Sequence, residues 1–240
     1  MYWCCVRVSR SNTVPPGTCS PLPNTSTPGT CWRRCRRIGW RVPERDYWNH
    51  NAAYHGRLVK IAAEHAGEVL DVGCGEGLLA QRLARVSRTV TAIDPDAAAV
   101  RRARARVASL PNVTVTETSF ASFDPGPQRF GLITFVAALH HMDLRASLTK
   151  ARDLLAPGGT LAVVGVAANG SVGDWIVDGL RVPFARVAGV LHGETRNIGV
   201  VVAEPRESLR EIRRTATQIL PGVSIRRGLY YRYLLRWRNV

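Results

Sequence analysis

A short apolar run, Glu68-Val-Leu-Asp-Val72, breaks into Gly73-Cys-Gly75-Glu-Gly77, and a helical pattern starts at Leu78. This strand–glycine turn–helix unit constrains the chain more than any other feature. Glycines without a Cβ let the chain turn tightly and let bare backbone approach a ligand. A helix opening near Gly77 adds free amide donors at its first turn. The spacing is Gly-x-Gly-x-Gly, with Cys74 inside the turn, whereas dinucleotide binders carry Gly-x-Gly-x-x-Gly. The third glycine is therefore misplaced for a nicotinamide-dependent oxidoreductase.

The rest of the chain alternates in the same sense. Thr89–Asp94, Val113–Thr116, Phe130–Val136 and Thr160–Val164 read as further strands. Between them, Leu78–Val86 and Asp96–Leu110 read as helices, the latter capped by Asp96. Asp143 caps another, with Leu144, Leu148, Ala151 and Leu155 on one face and Pro157-Gly158-Gly159 at its end. Strands that are nearly continuous in apolar residues and separated by helices imply a parallel sheet covered on both faces. Upstream, Asp46–Glu64 reads as a helix capped by Asp46, with Leu58, Ile61 and Ala62 at helical spacing and Tyr47, Trp48, His50, Tyr54 and His55 crowded into its first half. Downstream, Glu207–Leu220 reads as a helix, and Val223–Ile225 and Leu229–Trp237 as two closing strands. The second strand ends in Asp94, 17 residues after Gly77. In a Rossmann-like sheet that carboxylate lies beside the first loop and can accept two hydroxyl hydrogen bonds, as a ribose diol offers. Taken alone, it is equally a turn or capping residue before Pro95.

Residues 1–42 are rich in Pro, Ser, Thr and Arg and read as a disordered basic extension, leaving 43–240 for the folded domain. The formal charge is +15. Residues 1–45 hold eight Arg against the single acid Glu44, and only Lys60 and Lys150 are lysines among the 33 basic residues. Much of the excess thus lies outside the domain, which disfavours a nucleic-acid partner. Cys4, Cys5, Cys19, Cys31 and Cys35 crowd the same extension without a second ligand pair, and no Asp/Glu/His cluster has metal-binding spacing, so no metal is expected. No apolar stretch is long enough for a membrane span and the first residues do not read as a secretory signal, so the expected setting is cytoplasmic. Residues 167–205 break the alternation and carry Trp175, Ile176, Leu180, Phe184, Val187, Leu191 and His192. They suit a segment covering an apolar acceptor, or a packing insert.

At Leu70-Asp-Val-Gly-Cys-Gly-Glu-Gly77, Ile93-Asp94, Phe135-Val-Ala-Ala-Leu-His-His-Met142 and Leu154-Leu-Ala-Pro-Gly-Gly-Thr-Leu161, the chain resembles the class I S-adenosylmethionine (SAM)-dependent methyltransferases, and their small-molecule branch in particular. The resemblance implies an α/β, Rossmann-like doubly wound sheet, mostly parallel with a final antiparallel strand. It implies SAM as cofactor and a small-molecule methyl acceptor. It further implies that Asp71 holds the methionine amino end through the loop, that Gly73, Cys74, Gly75 and Gly77 run under the cofactor, and that Asp94 takes the ribose hydroxyls. Ser119 stands where the family usually has an acid for the adenine amino group. Phe120 would lie against the purine or in the core, Val136 would border the site, and Tyr54 resembles a tyrosine that reaches the cofactor carboxylate.

Methyl transfer from a sulfonium is an in-line displacement that needs alignment and exclusion of water. A base is required only when the acceptor must lose a proton. His140 and His141, after the fourth strand, are the candidate bases. Each can equally serve only to satisfy a nearby carbonyl. His50, His55 and His192 are weaker candidates. The stretch Val136-Ala-Ala-Leu-His140 lacks the Asn/Asp-Pro-Pro-Tyr/Phe type of signature found in amino-directed DNA methyltransferases, which disfavours DNA bases as acceptors. RNA-directed methylation and a non-catalytic SAM-binding module remain the alternatives.

Overall fold

The structure, a computed structural model, describes residues 49–65, 67–168, 205–229 and 232–240. The expectations for residues 1–42, for Asp46, Tyr47 and Trp48, for Trp175 through His192 and for Tyr230 and Tyr231 lie outside them.

Seven strands form one sheet: β1 (Glu68–Val72), β2 (Thr89–Asp94), β3 (Val113–Glu117), β4 (Phe130–Val136), β5 (Leu155–Gly165), β6 (Ser224–Arg227) and β7 (Tyr233–Arg238). Their order is β3-β2-β1-β4-β5-β7-β6. The first five are parallel, and β7 inserts antiparallel between β5 and β6. This is the Rossmann-like sheet with a final antiparallel strand that the sequence implies. Strand order reverses between β1 and β4, so a crevice opens outside their carboxyl ends.

Alternation along the strands divides the core into two layers. Leu70, Ile133, Phe135, Leu161 and Val163 face α4 (Leu144–Leu154) and α5 (Leu209–Ile219), joined by Tyr233, Leu235 and Trp237. Val69, Val90, Leu132 and Ala162 face α1 (His55–His65), α2 (Leu78–Leu83) and α3 (Ala97–Val107). Asp96 and Asp143 cap α3 and α4 as their sequence positions suggest, accepting from the Ala98 and Ala146 amides.

Four local expectations are corrected. Within the expected helix Asp46–Glu64, the described residues form a 3-10 turn, Ala52–Tyr54, ahead of the α-helix, with the Asn49 side chain accepting from the Asn51 and Ala52 amides. Helix α2 stops at Leu83, because the Asn112 side chain takes the Ala84 and Ser87 carbonyls and holds that stretch as a turn. Strand β5 starts at Leu155, ahead of Pro157-Gly158-Gly159, because Asn239 exchanges backbone bonds with Gly158 and Gly159. Leu154, not Leu155, therefore completes the buried face of α4. Helix α5 starts after Ser208, which forms a reciprocal capping box with Glu211.

Candidate active site at the carboxyl edge of the sheet

The β1 loop is fixed from two sides. The Gly73 and Cys74 amides donate to the Ile93 carbonyl at the end of β2, at 2.9 and 3.1 Å. The Gly75 amide donates to Asp94 Oδ2 and the Asp96 amide to Asp94 Oδ1, both at 2.9 Å. Asp94 thus shapes the loop, and each of its oxygens retains a second lone pair for a hydroxyl donor. Gly73 has φ +71°, and a Cβ there would come within 2.5 Å of the Ala138 Cβ, so only glycine lets the β1 and β4 loops meet. Gly77 serves packing instead: it has φ +83°, and a Cβ there would touch Ala103 of α3 at 3.0 Å.

The loops surround a cavity of about 420 Å³ at the topological switch point, within the ordinary range for small-molecule sites. Asp71, Gly73, Cys74, Gly75, Asp94, Val136 and His141 line it. So do Asn49, Asn51, His55, Glu76 and Asp96. Asp71 is the most unusual group. It is 1% exposed, the Thr134 hydroxyl donates to its Oδ1 at 2.9 Å, and its Oδ2 has no partner. Burial raises its pKa to about 7, against the Thr134 hydrogen bond and with a further push from Asp94. Burial likewise pushes the Cys74 thiol up, aided by Asp71 and Asp94. It is a structural thiol, not a nucleophile.

Five of the residues singled out in the sequence stand away from the cavity wall. Gly77 packs on α3. The Tyr54 hydroxyl donates to the Leu229 carbonyl at 2.7 Å. Ser119 Oγ accepts from the Ser122 amide and bonds the Ser122 hydroxyl, closing its own turn. Phe120 is in the core, edge-on to Phe135 at 5.2 Å between centroids, with the Lys150 ammonium 5.3 Å over its ring. His140 stacks on His141 with centroids 4.1 Å apart, and only His141 reaches the cavity. The sequence reading missed Asn49, Asn51 and Glu76. Glu76 is clamped by Arg106 of α3, which bonds both its carbonyl and its carboxylate.

Ala137, between β4 and the cavity, has φ +51°, and its amide donates to the Val164 carbonyl at 2.8 Å. A non-glycine residue in the left-handed region beside a cavity is a strained position of the kind found at functional sites. Among the described residues no group of three or more His, Cys, Asp or Glu side chains is arranged to hold a metal. No helix among them is long and apolar enough to cross a membrane.

The donor set fits SAM. An orphaned buried carboxylate oxygen on Asp71 suits an ammonium and Asp94 suits a diol, while Glu76 is already ion-paired with Arg106. A family model described as "Methyltransferase domain" matches residues 69–159. An uncharacterized methyltransferase of Mycobacterium tuberculosis is 37% identical over 204 residues, covering 80% of this chain and 96% of the relative. A ubiquinone biosynthesis O-methyltransferase of Serratia proteamaculans is 38% identical over 94 residues, covering 38% of this chain and 39% of that enzyme. The fold is shared with the N-methyltransferase NodS of Bradyrhizobium japonicum, solved with S-adenosylhomocysteine, at a TM-score of 0.54 and 20% identity, covering 83% of this chain and 91% of NodS. The sheet order, the glycine loop with Asp94 beside it, and a relative matched along nearly its whole length agree, and the chain belongs to the class I SAM-dependent methyltransferases.

Proposed function

We propose that the chain methylates a small-molecule acceptor, within a catalytic domain spanning residues 43–240. The observation that carries this reading is the cavity itself: a bounded site of about 420 Å³ whose wall, among the described residues, carries the Asp94 and Asp96 carboxylates and no Lys or Arg side chain, in a chain of net charge +15. Such a wall attracts a sulfonium and repels the phosphates of a nucleic acid. The partial likeness to ubiquinone biosynthesis O-methyltransferases supports a small acceptor in the same direction.

When bound, SAM supplies the activated methyl group. The chain's residues do the rest. Asp71 and Asp94 would hold the amino and ribose ends of SAM, and the Gly73–Gly75 backbone would border it. His141, on the wall, accepts a proton from the acceptor where one must leave, with the tilted His140 ring in contact with its own.

The test is to incubate the protein with methyl-labelled SAM and a cell extract separated into low-mass, RNA and protein fractions. Label should enter the low-mass fraction. His141→Ala should slow that labelling by about 100-fold while S-adenosylhomocysteine affinity stays unchanged. Label confined to RNA or protein would overturn the small-molecule reading.

A further inference from the structure

The β6–β7 hairpin reaches back to the opposite end of the chain. Arg232, just ahead of β7, donates to Asn51 Oδ1 from Nε at 3.0 Å and from Nη2 at 2.8 Å, across 181 residues. A guanidinium has only donors, so chemistry assigns the acceptor end of the Asn51 amide to Arg232. The amide nitrogen is left on the other side. Asn51 lines the cavity, and so does Asn49, whose Oδ1 is likewise engaged, by the Asn51 and Ala52 amides. Two side-chain amides thus meet the cavity with their oxygens already committed.

Two side-chain amides with donors to offer suit an anionic oxygen, and the unpartnered Asp71 oxygen of the same cavity suits a cation. Together they complement an α-amino-acid zwitterion. We propose that Arg232 is a positioning residue for cofactor binding: by holding the Asn51 oxygen it turns the Asn51 N–H groups into the cavity, where they donate to the carboxylate at the amino-acid end of SAM. This rests on the cavity being the cofactor site, as argued above.

The hairpin is built to keep Arg232 in place. The Gly228 amide donates to the Arg232 carbonyl at 2.7 Å, and the Arg232 amide to the Leu229 carbonyl at 3.1 Å. The Tyr54 hydroxyl donates to the same Leu229 carbonyl, and a Cβ on Gly228 would run into that hydroxyl at 2.5 Å. Two ties, at residues 51 and 54, therefore fasten the segment ahead of α1 to the hairpin.

The substitution Asn51→Asp separates positioning from mere structural support. A carboxylate keeps both Arg232 bonds, as a stronger charge-assisted pair, but offers no donor to the cavity. Calorimetry with S-adenosylhomocysteine should show about tenfold or greater weakening for Asn51→Asp, with the melting temperature of the free protein unchanged or raised. Binding of 5′-methylthioadenosine, which lacks the amino-acid end, should not change. Arg232→Met should weaken S-adenosylhomocysteine in the same sense, and should add nothing once Asn51→Ala is present. Unchanged affinity in Asn51→Asp, or additive losses in the double variant, would overturn the inference. Failure of the unsubstituted protein to bind S-adenosylhomocysteine would instead overturn the cofactor cavity, and this inference with it.

Discussion

Asp71 shows how one residue joins stability to ligand binding. In the folded chain it keeps its proton up to about pH 7, whereas the same carboxyl ionises near 3.8 when unconstrained. Between those values the folded state binds the extra proton, so stability is greatest below pH 3.8 on this account, falls as pH rises through the window, and levels off above about 7. Thermal unfolding of the ligand-free protein should show that decline, and Asp71→Asn, which cannot ionise, should remove it. An identical pH profile in Asp71→Asn would show that the carboxyl is already ionised or does not titrate there. The slope reverses for ligand binding. An ammonium prefers the ionised carboxylate, so S-adenosylhomocysteine should bind more tightly as pH rises towards 7, with release of a proton. Thr134 sets the balance: its hydroxyl is a single donor to a carboxylate that can accept several, enough to hold the side chain in place without neutralising the cost of burial.

At the level of the elements, the insertion of β7 depends on one close approach. Gly165, the last residue of β5, pairs with Tyr233, and a Cβ on Gly165 would fall within the Tyr233 ring. Tyr233 is 3% exposed and cannot swing into water. Gly165→Ala should therefore lower stability by about 1–3 kcal/mol in urea unfolding, and Tyr233→Leu in the same chain should restore part of it. A Gly165→Ala protein as stable as its parent would mean that β7 yields freely. Strands β1 and β4 were legible as largely apolar buried runs, and β2 and β3 as short stretches of β-branched Thr and Val, β1 bounded by Gly73 and β2 by Asp94. Helices α3 and α4 were legible because Asp96 and Asp143 cap locally. What the sequence hid depends on distant partners. The early start of β5 comes from Asn239, and Asn51 acquires its orientation from Arg232, neither of which leaves a periodic or local signal. Phe120 and Ser119 sit in the expected loop, but their neighbours Phe135, Lys150 and Ser122 turn them to the core and to a local turn.

For the whole molecule, the central tension is between a strongly basic chain and an acidic cavity wall. Residues 1–45 contribute eight Arg and one acid, while the remainder carries 25 bases against 17 acids. The acids of the remainder include Asp94 and Asp96 at the cavity wall, which among the described residues no Lys or Arg lines. A polyanion is thus attracted by the chain at large and repelled at the site where methyl transfer is proposed. Attraction by the first residues would appear as sequence-independent binding whose strength falls steeply with salt, by about 0.7 in log–log slope for each phosphate of a single strand neutralised. Ligand binding in the cavity is short-ranged and should ignore that segment. A chain of residues 43–240 should therefore bind S-adenosylhomocysteine within about twofold of the full-length protein, while its salt slope towards RNA is clearly smaller. Loss of S-adenosylhomocysteine binding on removing residues 1–42 would place part of the cofactor site in that segment. An unchanged slope would assign the polyanion surface to residues 43–240 and revive RNA as the acceptor.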